Sequence, residues 1–88
     1  MSPERWHKLS FEDRVRAIAS EVKRAEIWEN KDEEIYKSAL ERALELVELS
    51  LNKTTSREEI YPMLLIRGRL GELYAGLRKN AGALYAAM

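Results

Sequence analysis

Apolar residues recur at intervals of three and four along most of this chain, and this spacing constrains the fold more than any other feature. No segment alternates apolar and polar residues with a period of two, which a half-buried strand would require. The clearest apolar stripe consists of Phe11, Val15, Ile18, Val22 and Ala25, and Trp28 extends it. It predicts a helix that begins after Ser10 and ends at about Glu29. The spacing therefore predicts an all-α protein.

Capping signals divide the chain into three helices. Ser10 is placed to cap the first helix, with Asp13 at the capping-box position. Asp32 is placed to cap the second, which the short break at residues 30–32 makes antiparallel to the first. The predicted core face of the second helix is Ile35 or Tyr36, Ala39, Leu40, Ala43, Leu44, Val47 and Leu51. An N-terminal turn around residues 2–4 is expected to carry Trp6 and Leu9 toward the core.

The third helix is predicted to begin at one of two capping boxes, Thr55 with Glu58 or Ser56 with Glu59. Pro62 removes a backbone donor, so a kink or a restart is expected near it. The apolar stripe of this helix is Ile66, Leu70, Leu73 and Leu77. Residues 80–82 are expected to end the helix, and the last six residues are expected to form a weakly specified tail that frays.

Three glycines lie among the residues of the apolar stripe of the third helix, at positions 68, 71 and 76. They do not follow a strand and do not have the spacing of a phosphate-binding loop. Each interior glycine costs about 1 kcal/mol of helix stability relative to alanine, so a compensating gain is expected. Gly68, Gly71 and Ala75 share one smooth face that lets another helix approach closely, whereas Gly76 can serve the C-terminus of a helix that ends early.

Composition limits the class of partner. The 88 residues make one domain, residues 1–88, with a single modest core, and they contain no cysteine. Fifteen basic side chains balance fifteen acidic ones, which argues against a nucleic-acid partner. Residues 31–56 carry four basic and six acidic side chains, and residues 57–88 carry five basic and three acidic ones, so the two segments attract each other in a salt-sensitive way.

Neither a signal peptide nor a membrane span is expected, and a cytoplasmic location is the default.

Two carboxylate pairs are the strongest candidate for chemistry. Glu26 with Glu29 and Glu45 with Glu48 resemble the clustered carboxylates of the all-α MazG-like nucleoside triphosphate pyrophosphohydrolases. That resemblance implies a Mg²⁺ site facing substrate phosphates, although Glu48 stands where the family has Asp. Antiparallel helices, however, place Glu26 and Glu29 beside the start of the second helix, far from Glu48. A surface face of paired charges is the alternative interpretation.

Other candidates for chemistry are weaker. His7 is the one histidine, and no readable partner makes it a base. The arginines of the third helix lack the histidine that the ribonuclease motif of HEPN-type nucleotide-binding domains requires.

A wider resemblance covers most of the chain. The chain is similar to a family of short uncharacterised prokaryotic helical proteins in the block ERALELVELSL at residues 41–51 and in these residues: Trp6, Leu9, Ser10, Ser20, Glu21, Arg24, Ala25, Arg67, Leu70, Tyr74 and Gly76. Gly68 and Gly71 depart from that pattern. The resemblance implies the fold and supplies no activity.

The sequence thus predicts a three-helix antiparallel bundle with a short N-terminal helical turn that completes its core by dimerisation. Leu46 and Leu49 lie off the main stripe of the second helix and widen its apolar surface. We expect a non-enzymatic interaction or assembly module that forms a homo-oligomer and needs no cofactor. A Mg²⁺-dependent nucleotide hydrolase and an adaptor subunit of a larger enzyme are the alternatives. The predicted interface comprises Leu46, Leu49, Gly68, Gly71, Ala75 and Leu77.

Overall fold

A computed structural model describes residues 3–53 and 56–88 of the chain, and these residues form five α-helices. The helices are α1 (Pro3–Lys8), α2 (Phe11–Trp28), α3 (Glu33–Lys53), α4 (Arg57–Tyr74) and α5 (Ala81–Ala87). The all-helical prediction is confirmed, since no strand occurs in the described part of the chain. In the same residues, none of the helices combines the length and the apolarity that crossing a bilayer requires.

The helix starts follow the capping signals in two of three places. The Ser10 hydroxyl accepts a hydrogen bond from the Asp13 N–H at 3.1 Å, and an Asp32 carboxylate oxygen accepts one from the Ile35 N–H at 3.2 Å. Ser56 is the N-cap of α4, but its side chain makes no capping hydrogen bond, so the Ser56 half of that capping box is absent. The alternative cap Thr55, like Ser2 at the N-terminus, lies outside the described residues.

The core forms where α2 and α3 pack as a hairpin, as the sequence predicted. Ile18 and Val22 of α2 and Leu40 and Val47 of α3 are completely buried, whereas Leu44 is half-buried. Burying an aliphatic side chain of this size stabilises the folded state by about 1.5–3 kcal/mol. The remaining members of the cluster come from all five helices: Trp6, Ala25, Ala39, Ala43, Met63, Ile66, Leu70, Leu73 and Ala81.

Helix α1 is anchored on α3 by a buried hydrogen bond. The indole Nε1–H of Trp6 donates to the hydroxyl of Ser50 at 2.8 Å, and that hydroxyl donates in turn to the Leu46 carbonyl at 3.1 Å. Buried indole N–H groups need such a partner because an unpaired buried donor is costly. Helix α1 is therefore an integral part of the fold.

Helix α4 runs unbroken through Pro62, so of the kink or restart predicted there the restart is wrong. Pro62 is exposed, and the Glu58 carbonyl, which loses its helical donor, lies on an exposed residue that water can reach. The helix ends earlier than predicted. Gly76 adopts a left-handed conformation (φ +77°), and the Leu77 N–H donates to the Glu72 carbonyl at 2.9 Å. This is a Schellman cap, and it is the role that an early helix end leaves for Gly76.

The last residues do not fray but form α5, which packs against α2. Asn80, at φ +74°, caps α5 through a 3.2 Å hydrogen bond from the Ala83 N–H to its side chain. The predicted helix end at residues 80–82 is thus a helix start. A left-handed asparagine gives the same local signal at either kind of terminus, because its side chain accepts hydrogen bonds from nearby backbone N–H groups.

Candidate functional site

Helix α4 has an outer face whose large apolar side chains the fold leaves exposed. Met63, Ile66, Leu70 and Leu73 point into the core. The opposite side repeats the helical spacing mainly with apolar and small residues, which define the outer face: Tyr61, Leu64, Leu65, Gly68, Gly71 and Ala75. One charged residue, Glu72, lies on the same side and is paired with Arg78 at 3.1 Å.

Three large side chains of the outer face are exposed. Tyr61 is 69% exposed, Leu65 is 62% exposed and Leu64 is 44% exposed. An amphipathic helix on the surface of a globular protein presents polar residues on this side. A helix that is apolar on both sides is expected where both sides are covered.

Gly68 and Gly71 of α4 lie on this face without a packing partner in the part of the chain that the structure describes. A methyl group built on either Gly68 or Gly71 would meet no other atom within 4 Å, apart from the local helix backbone. Among the described residues, no other helix therefore makes a close contact at these glycines. Their predicted role in close packing stays a prediction about a second molecule.

The predicted interface residues fall into two groups. Gly68, Gly71 and Ala75 lie on the outer face. Leu46 and Leu49 are instead half-buried against the core, because α3 packs against α1, α2 and α4 and so needs a wider apolar surface than one neighbour requires. Leu77 is 81% exposed in the connection after α4, because the helix ends before it.

Sequence reasoning missed Tyr61, Leu64 and Leu65. The available signal was their spacing to Gly68, which places them on the same side of the helix as the glycines. The expected restart at Pro62 concealed this signal, because it separated Tyr61 from the rest of the face.

Two carboxylates at the C-terminal end of α2, Glu26 within the helix and its C-cap Glu29, lie beside the start of α5. Glu29 accepts hydrogen bonds from the backbone N–H groups of Asn80 and Ala81, each at 2.8 Å. Burial, and then the charge and the hydrogen bond of Glu29, raise the pKa of Tyr36 above its ordinary value. Glu26 lies against Gly82, where an added methyl group would come within 2.9 Å of the Glu26 carboxyl carbon. These contacts are structural.

The carboxylates of α3 lie elsewhere. Glu48 forms an ion pair with Arg67 of α4 at 2.6 Å, and Glu45 is exposed. Across residues 3–53 and 56–88, no group of three or more histidine, cysteine, aspartate or glutamate side chains is arranged to hold a metal ion. The structure thus does not gather Glu26, Glu29, Glu45 and Glu48 into one site.

His7 and Tyr74 are two further polar side chains whose surroundings the structure describes. His7 is half-buried on α1, and its Nδ1 is buried with no hydrogen-bond partner among the described residues. The Tyr74 hydroxyl donates to Glu41 at 2.7 Å, and this hydrogen bond raises the pKa of Tyr74. Lys37 lies over the same ring at 5.5 Å, so this contact ties the end of α4 to α3.

The fold is thus an all-α domain with one helix that is apolar on both sides. A comparison with protein-family models finds no match, and searches of the curated proteins and of the solved structures find none either. Function must therefore be argued from the surface itself.

Proposed function

We propose that this chain is a non-enzymatic helical protein–protein interaction module that forms a homodimer through the outer face of α4. One observation carries the proposal: α4 is apolar on two opposite sides, and the fold covers only one of them. Contiguous exposed apolar surface of this kind usually marks an interface.

The shape of the face favours a second copy of the same chain as the partner. Its N-terminal half is bulky, with Tyr61, Leu64 and Leu65, and its C-terminal half carries the small residues Gly68, Gly71 and Ala75 beside the ion pair of Glu72 with Arg78. In a twofold dimer each surface patch meets its own copy, so two antiparallel α4 helices place the bulky half of one against the C-terminal half of the other. Residue 68 then lies close to the twofold axis, where glycine allows the backbones to approach.

Light scattering over a dilution series tests the association. Leu64→Glu should convert the dimer to a monomer, because it buries an unpaired charge in the contact. Ile27→Glu is the matched control, since Ile27 is 49% exposed and lies on α2, away from this face. A chain that is monomeric at every concentration contradicts the proposal, and so does a dimer that survives Leu64→Glu but not Ile27→Glu.

Cross-linking tests the arrangement, because the chain has no cysteine of its own. Gly68→Cys should form a disulfide-linked dimer on mild oxidation, since disulfides need Cα atoms about 4.4–6.8 Å apart. Ile27→Cys should stay monomeric under the same conditions. A cross-link that forms equally well in both variants indicates random collision and contradicts the twofold arrangement. A monomer that becomes a defined complex only with another protein supports the adaptor alternative.

A further inference from the structure

A groove of about 350 Å³ opens between α2, α4 and α5. It exists because α5 packs against α2 and leaves a gap toward α4. Its lining is mainly apolar: Phe11, Val15, Pro62, Leu65, Ile66, Ala83, Leu84, Ala87 and Met88. This volume is at the lower end of the range for small-molecule sites, about 300–1,000 Å³.

All the charged side chains that line the groove are basic. They are Arg69 in the second half of α4 and Arg78 and Lys79 in the connection to α5, and no described acidic residue joins them. Arg78 is paired with Glu72 at 3.1 Å. Arg69 is half-buried, and neither its side chain nor that of Lys79 has an ion pair or hydrogen bond with another described residue.

The order of these residues along the chain gives the groove two chemically different ends. Arg69 and the start of α5 both adjoin the connection between α4 and α5, so the cations gather at that end. Pro62 in the first half of α4 and Ala87 near the end of α5 line the other end, which is apolar. Unpaired cations beside an apolar channel match a ligand with an anionic head and a hydrocarbon chain.

We propose that this groove binds a single-chain fatty carboxylate. The alkyl chain lies along the apolar lining, where each buried methylene contributes to affinity. The carboxylate lies at the basic end, where the planar Arg69 guanidinium can donate two parallel hydrogen bonds to it and Lys79 adds a second charge. The absence of acidic side chains from the described lining disfavours an amphiphile with a cationic head.

This proposal rests on observations separate from those for self-association. The groove shares only Leu65 with the outer face of α4. The Leu64→Glu chain, in which association is blocked, should therefore bind the fatty carboxylate as the natural chain does.

Titration calorimetry with sodium dodecanoate, below its micelle-forming concentration, tests the proposal. We expect saturable one-to-one binding that weakens about tenfold in Arg69→Gln, the loss that follows from one charge-assisted interaction. Lys79→Gln should weaken binding less, because Lys79 is exposed whereas Arg69 is half-buried. Arg67→Gln is the matched control: Arg67 lies two residues away, outside the groove, and is already paired with Glu48.

Two further probes separate the contributions of head and chain. Butyrate has the same head with a short chain and should bind far more weakly, and dodecyltrimethylammonium has the same chain with a cationic head and should not bind. Equal binding of either probe overturns the proposal, as does equal weakening in Arg67→Gln and Arg69→Gln. Binding that appears only on anionic vesicles, and not with free dodecanoate, identifies a membrane surface instead. Dodecanoate binding that is lost in Leu64→Glu assigns the site to the dimer and also overturns the proposal.

Discussion

The Glu29 carboxylate is predicted to decide whether α5 stays on the fold. A helix of seven residues is too short to be stable by itself in water, so α5 depends on its contacts with α2. Glu29 supplies two of these contacts, the 2.8 Å hydrogen bonds from the backbone N–H groups of Asn80 and Ala81. Removing this side chain leaves the start of α5 without its anchor.

The size of the effect follows from these two hydrogen bonds. A hydrogen bond to a charged group contributes about 1.5–3 kcal/mol when shielded from water. One of the two donors is exposed and the other is partly buried, so we take about 1 kcal/mol for each bond. Glu29→Ala should therefore lower the free energy of opening α5 by about 2 kcal/mol. Amide exchange in α5 should become about thirtyfold faster, since 1.4 kcal/mol corresponds to a factor of ten.

Residue-resolved hydrogen exchange measures this directly. Amides of α5 should lose protection in Glu29→Ala, while amides in the centres of α2 and α3 change much less, because local opening does not require global unfolding. Glu45→Ala is the matched control, since it removes the same charge from an exposed position with no described partner. Unchanged exchange in α5 would refute the anchoring role, and an equal loss of protection in both variants would refute its specificity.

The remaining predictions concern stability and metal binding. Leu40→Ala should lower the free energy of unfolding by about 2–5 kcal/mol in urea denaturation because Leu40 is completely buried, whereas Leu77→Ala should change it by less than about 0.5 kcal/mol. Gly76→Ala should cost about 1–2 kcal/mol because of the left-handed backbone, and a neutral result would contradict the cap geometry. Gly68→Ala, measured in the monomeric Leu64→Glu background, should add about 0.5–1 kcal/mol, because the methyl group meets nothing and the helix gains propensity. Millimolar Mg²⁺ should leave the melting temperature unchanged, and a clear rise would favour the nucleotide-hydrolase alternative.

The sequence by itself determined the elements whose signals are local. The three- and four-residue spacing predicted the α2–α3 hairpin and its core face, because a helix repeats every 3.6 residues whatever it packs against. Ser10 and Asp32 were recognisable as caps because the hydrogen bond of a cap spans only three residues. The smooth side of α4 could be read from Gly68, Gly71 and Ala75 for the same reason.

Tertiary structure alone decided which apolar residues are covered. Leu46 and Leu49 have the same local pattern as an exposed surface, and only the packing of α3 against three other helices buries them. Tyr61 and Leu65 have the spacing of a second core stripe, and no neighbouring helix of the chain covers them. The anchoring role of Glu29 was equally impossible to read from the sequence, because its partners, the Asn80 and Ala81 N–H groups, lie 51 and 52 residues away along the chain. Contacts over such separations depend on how helices pack, and no local pattern records them.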